Sequence, residues 1–178
     1  MLRASSILEV LLRESVTDVI GVPDNSSAAL YTLLEKDARI AVRPVTREGE
    51  AFSMACGLWM GGRHPMLLIQ NTGLLESGDA FRGTAMRMRI PLVSLVTYRG
   101  YAKMMRIFGG VPDTVDVEML SRSDVDSCGP ITEPTLRAWG LSHDFIHEEQ
   151  DLGKLTAAFE RARTLPGPVA ALLTGDTI

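Results

Sequence analysis

The stretch Ile40-Ala41-Val42-Arg43-Pro44-Val45-Thr46-Arg47-Glu48-Gly49-Glu50-Ala51-Phe52-Ser53-Met54-Ala55-Cys56-Gly57-Leu58-Trp59-Met60 passes from a short β-strand pattern into a helix pattern with an acid at the junction. From Ala51 to Met60 only Ser53 and Gly57 interrupt the apolar residues. A helix that is apolar nearly all round is covered on more than one side. In a chain of this size that predicts its own sheet on one side and a second subunit or domain on the other. Glu48 then stands at the helix entry, close to an interface. A buried charge without a partner is too costly to keep, so Glu48 must be answered by something. The plainest answer is that Glu48 and Glu50 complement the positive end of the helix dipole.

Outward from this stretch, strand and helix patterns take turns. Helical spacing over Ile7 to Arg13 precedes a strand at Val16 to Val22, a helix at Ser26 to Glu35 and the Ile40 to Val45 strand. After the Glu48 helix come a buried-type strand, Met66 to Gln70, a helix around Gly78 to Met88 and a strand at Pro91 to Thr97. From Tyr101 to Gly129 the period lapses, and a stretch this long is expected to be functional or partly mobile. The pattern resumes with a helix at Thr132 to Gly140, where Glu133-Pro134 suits a helix start. A strand at Asp144 to His147, a helix at Asp151 to Thr164 and a strand at Val169 to Leu173 complete it. Such alternation specifies an α/β fold, a parallel sheet with helices on both faces.

The 178 residues correspond to one domain, 1–178, and an apolar share of 46% is ample for a core. No apolar run approaches the roughly eighteen residues of a membrane span, and the first residues do not lead into a signal-peptide core. The expectation is a cytoplasmic protein with no membrane contact. Cys56 and Cys128 lie far apart without a neighbouring His, which fits reduced thiols. A net charge of −4 supplies no basic field for nucleic acid.

In parallel sheets ligands gather beyond the carboxyl ends of the strands. Four polar groups fall there: Pro23-Asp24-Asn25, Glu48, Gln70-Asn71-Thr72-Gly73 and Tyr98-Arg99-Gly100. Taken together with Gly21-Val22-Pro23, Gly61-Gly62, Pro91 and Gly129-Pro130-Ile131-Thr132, their order resembles the pyrimidine-binding domain of thiamine-diphosphate-dependent decarboxylases. Within that group the chain looks most similar to sulfopyruvate decarboxylase alpha subunits and phosphonopyruvate decarboxylases. The resemblance covers about nine tenths of the chain and implies a flavodoxin-like sheet.

The resemblance also implies roles. Glu48 would bind the cofactor pyrimidine through the ring nitrogen opposite the amino group and so favour the tautomer that activates the thiazolium. Gln70, Asn71, Thr72 and Gly73 would line the pyrimidine pocket, with Gly73 allowing close approach. Asn25 would face the substrate, a small 2-oxo acid with an anionic tail. Its other reading is a cap for the following helix. Arg99 would hold an anionic group of the substrate, the alternative being a surface Arg paired with a loop acid. Where relatives continue Gly-Leu-Gly-Asn, this chain has Gly73-Leu74-Leu75-Glu76. The Gly-Asp-Gly segment and downstream Asn that hold Mg²⁺ and the diphosphate are missing: Gly78-Asp79 and Gly175-Asp176 lack the sequel.

The implied assembly is therefore a hetero-oligomer with a beta subunit that brings the metal and the diphosphate. A catalytically inactive regulatory or scaffold subunit that keeps the fold is the alternative. A hydrolase or nucleotide-binding protein is disfavoured, since neither a phosphate-cradling loop nor a Ser/His/Asp order is present.

Overall fold

The computed structural model describes residues 2–178, and these form six strands and nine helices. The strands are β1 (Asp18–Gly21), β2 (Ala41–Pro44), β3 (Pro65–Gln70), β4 (Val93–Thr97), β5 (Ser142–Ile146) and β6 (Val169–Leu173). They build one parallel sheet in the order β2-β1-β3-β4-β6-β5. The chain winds outward from β1 in both directions, the doubly wound arrangement that opens a crevice where the direction reverses.

Every residue of β1, β4 and β6 is buried, because each face of the sheet carries helices. Alternation sorts the strand side chains: Met66 and Leu68 pack with α1 (Ala4–Arg13), α2 (Ala28–Leu34) and α9 (Leu152–Thr164). Leu67 and Ile69 face the opposite layer. That layer holds α3 (Glu48–Met60), α4 (Asn71–Glu76), α5 (Gly78–Phe81), α6 (Tyr101–Phe108) and α8 (Cys128–Ala138). The ninth helix, α7 (Val117–Ser121), buries none of its residues.

At the amino edge of the sheet Asp18 is fully buried and takes Arg43 Nε at 2.6 Å and Arg63 Nε at 2.8 Å. Burial alone would raise its pKa, but the hydrogen bonds from Arg63, Thr17 and Arg43 prevail and hold it below the usual carboxylate range.

α3 begins at Glu48 and buries Ala51, Phe52, Ala55 and Cys56 against the sheet. Its outer half stays open in the single chain, with Trp59 39% and Met60 65% exposed.

Several expectations need correcting. The segment 101–129 is irregular only in part: α6 follows Gly100, whose φ is +83°, and places Tyr101, Met104 and Phe108 at helical spacing against the core, while 109–116 and 122–127 form no regular element. α7 follows, and α8 starts at Cys128 instead of Thr132, so Pro134 lies inside a helix and Cys128 at its beginning rather than in a polar loop. Gln70 to Gly73 is not a turn. β3 ends at Gln70 and α4 begins at Asn71 with no intervening loop. The helix expected over Gly78 to Met88 is α5 followed by a π turn, Arg82–Met86.

Candidate active site

Glu48 is carried to the sheet's carboxyl edge because β2 ends at Pro44 and Arg47, in extended conformation, opens α3. Its half-buried carboxylate lies against Gly73 in the first turn of α4, where a Cβ would overlap Glu48 Cγ, Cδ and Oε1. Only glycine leaves that space free. Among the described residues no donor hydrogen-bonds to the Glu48 side chain and no cation pairs with it. Burial, with Asp24 and Glu48 nearby, holds the Tyr31 phenol above its ordinary pKa, and the hydroxyl donates to Leu68 O at 2.9 Å. Glu50, by contrast, is exposed and accepts from Thr46 N and Thr46 Oγ1 at 3.3 Å, a helix-start role.

Beside this point a cleft of about 580 Å³ opens at the carboxyl ends of β1, β3, β4 and β6. Asn25, Gln70 and Arg99 all line it, so three of the residues singled out in the sequence converge. Gln70 lines the cleft and Gly73, three residues on, touches Glu48, so the first turn of α4 links the two features.

Asp24 rather than Asn25 caps the turn after β1: it accepts Ser26 N at 2.8 Å and Ser27 Oγ at 2.7 Å. That displaces the capping role considered for Asn25. Gln70 Oε1 accepts from Thr72 Oγ1 at 2.8 Å, which fixes the amide at the end of β3.

Asn71 is placed differently from the expectation of a pocket wall. It is fully buried, and its amide donates to Arg99 O at 3.0 Å and Thr132 Oγ1 at 2.9 Å, while its Oδ1 accepts Arg99 N at 3.1 Å. Asn71 therefore clamps the Arg99 backbone to α8 and turns its polar atoms away from the cleft. Arg99 donates from Nε to Asp126 Oδ2 at 3.0 Å, the pairing with a loop acid foreseen as its alternative, and still lines the cleft.

Asp126 also accepts from Cys128 Sγ at 3.1 Å. Burial, with this carboxylate beside it, pushes the Cys128 thiol up to about 12. The thiol stays protonated at neutral pH and is no nucleophile.

Glu76, one of the departures from the related pattern, takes Arg47 Nε at 3.1 Å. It ties the end of α4 to the residue before Glu48 and does not line the cleft. Among the described residues no three His, Cys, Asp or Glu side chains come together as metal ligands, and no helix is long and apolar enough to cross a membrane.

The sequence reading missed Lys103, Asp126, Thr174 and Asp176, which also line the cleft. Thr174, Gly175 and Asp176 follow β6 directly, so the rule that ligands meet strand carboxyl ends would have found them. Lys103 and Asp126 lie where the period had lapsed.

No protein-family model matches the chain. It is 32% identical over 127 residues to phosphonopyruvate decarboxylase of Streptomyces viridochromogenes, covering 66% of this chain and 32% of that protein. It is 31% identical over 100 residues to sulfopyruvate decarboxylase subunit alpha of Methanococcus maripaludis, covering 56% of this chain and 60% of that one. For the same subunit of Methanocaldococcus jannaschii the figures are 32% over 103 residues, 57% and 61%. The chain thus spans a third to three fifths of these relatives, and the alignable part is shorter than the motif resemblance implied. The crystal structure of benzoylformate decarboxylase from Polynucleobacter necessarius superposes with a TM-score of 0.66 at 18% identity, over 100% of this chain and 31% of that one. That likeness shows a shared fold.

Proposed function

We propose that the chain is the pyrimidine-binding, alpha-type subunit of a thiamine-diphosphate-dependent decarboxylase acting on a small 2-oxo acid with an anionic tail. The observation that carries this reading is the Glu48–Gly73 contact. A half-buried carboxylate with no hydrogen-bond or ion partner among the described residues fills the space that the absent side chain of Gly73 leaves. A flat heterocycle with a protonated ring nitrogen would answer that charge through a charge-assisted hydrogen bond. Bound there, thiamine diphosphate would supply a nucleophilic carbon and an electron sink for the bond that breaks as CO₂ leaves.

Glu48 would hold the proton on the pyrimidine nitrogen opposite the amino group, its negative charge favouring the protonated ring. Gly73 makes room for the Glu48 carboxyl group, and Gln70, fixed by Thr72, would line the site from the end of β3. Asn71 acts indirectly, by holding the Arg99 backbone. Asn25 and Arg99 meet the substrate across the cleft.

Sulfopyruvate and phosphonopyruvate in the relatives' names support this substrate class, and the designation subunit alpha supports a partner. We assign Mg²⁺ and the diphosphate to that partner chain, a beta subunit, in a cytoplasmic hetero-oligomer. The departure at Leu75-Glu76 is the ground on which an inactive scaffold subunit could stand. Neither Leu75 nor Glu76 lines the cleft, and Glu76 is engaged with Arg47, which supports an active subunit over a scaffold.

The test is CO₂ release from 3-sulfopyruvate and 3-phosphonopyruvate by this chain purified together with its partner. We expect turnover that requires thiamine diphosphate and Mg²⁺, and none from this chain alone. A cofactor-loaded complex without turnover on either acid contradicts the reading.

A further inference from the structure

We propose that Lys103 is the residue that selects an anionic substrate tail. The inference rests on the reading above that the cleft takes a 2-oxo acid, and it assigns a role to a side chain which that reading does not use.

Two cations line the cleft, Arg99 and Lys103. Arg99 is already engaged through Nε with Asp126. Lys103, in the first turn of α6, is half-buried and makes no ion pair or hydrogen bond among the described residues. Asp126 and Asp176 share the lining with it; Asp124 and Asp126 lie close enough to feel its charge, yet among the described residues no carboxylate comes within ion-pairing distance of its ammonium. A partly desolvated charge without a direct ion-pair partner is incompletely compensated, and an anion in the cleft would complete that compensation.

The chemistry decides which end of the substrate this charge serves. In decarboxylation the C1–C2 bond breaks, its electron pair stays on the C2 side, and C1 departs as neutral CO₂. A cation paired with the C1 carboxylate would therefore stabilise the ground state more than the transition state and slow the step. A sulfonate or phosphonate on C3 keeps its charge throughout. An ammonium placed there holds the substrate without opposing the reaction, and its three donors on a flexible stem suit a tetrahedral oxyanion. The remaining donors of Arg99 reach the same cleft and share the load.

Steady-state kinetics on the complex separate this role from a structural one. Three substrates are compared: 3-sulfopyruvate, 3-phosphonopyruvate and 2-oxobutyrate, which has a methyl group in place of the anion. Lys103→Met is expected to raise KM for the two anionic acids by about tenfold or more, the effect of losing one charge-assisted contact. KM for 2-oxobutyrate and the melting temperature should stay unchanged, and Lys103→Arg should restore most of the loss. Equal effects on charged and neutral acids, or none on the charged ones, overturn the assignment while the decarboxylase reading stands. A complex inactive on all three acids overturns both.

Discussion

Gly73 and Glu48 occupy one space: a Cβ at position 73 would overlap the Glu48 carboxyl group. The two residues come from different strand–helix units, β2–α3 and β3–α4, and meet because both units end at the sheet's carboxyl edge. The contact explains in one stroke why the acid sits at the helix entry and why the following unit carries glycine three residues after its last strand residue.

Gly73→Ala should therefore disable the site while sparing the fold. The overlap is with the far end of a flexible side chain, so Glu48 can swing aside and the overpacking cost stays within about 1–3 kcal/mol. Displacing the carboxylate by an ångström or more should slow decarboxylation roughly hundredfold. Paired melting curves and rates check this; unchanged activity would show that the carboxylate position does not matter.

Asn71→Ala should destabilise the chain and loosen the cleft. It leaves Arg99 N without its acceptor and takes one partner each from Arg99 O and Thr132 Oγ1, which keep contacts to Cys128, at about 1–3 kcal/mol for a buried group left unsatisfied. Substrate KM should rise as Arg99 shifts. Asn71→Asp should be worse, because a carboxylate cannot donate to Arg99 O. Urea titrations of both variants provide the measurement, and a wild-type midpoint for either would contradict the clamp.

Asp18 gives a pH dependence. Its folded pKa lies below the unfolded value of about 3.9. The stabilisation is therefore complete above that unfolded value and is lost as pH falls through the folded pKa. Asp18→Asn leaves Arg43 and Arg63 without their shared counter-charge. The stability gap between wild type and variant should be full at pH 7 and shrink as pH drops below about 4. A gap that does not change with pH would refute the assignment.

Much of this was legible before the structure. The alternation of patterns yields the parallel sheet, β6 falls on the residues read as a strand, and α3 starts at Glu48. The long middle segment was not legible because α6 spans only two turns between Gly100 and Gly109 and fully buries only Met104. The start of α8 was hidden by Pro134, a residue that ordinarily opens a helix and here costs one backbone bond inside it. Spacing placed Asn25, Gln70 and Arg99 at the strand ends where the cleft lies but could not say which way Asn71 points. Its partners lie at Arg99, Cys128 and Thr132, distances along the chain that no local pattern encodes. Lys103 escaped for the same reason: what marks it is that, among the described residues, it has no direct ion pair in three dimensions.

The most direct measurement compares Glu48→Gln with Glu50→Gln in the assembled complex, following decarboxylation rate and melting temperature together. An amide at 48 keeps the size and can still hydrogen-bond, but it cannot stabilise the protonated ring nitrogen. Glu48→Gln should therefore slow turnover by orders of magnitude while assembly and melting temperature hold. Glu50→Gln should keep its activity and lose about 0.3–1 kcal/mol of stability, the contribution of an acid at a helix start. A Glu48→Gln complex that turns over at the wild-type rate would contradict the account.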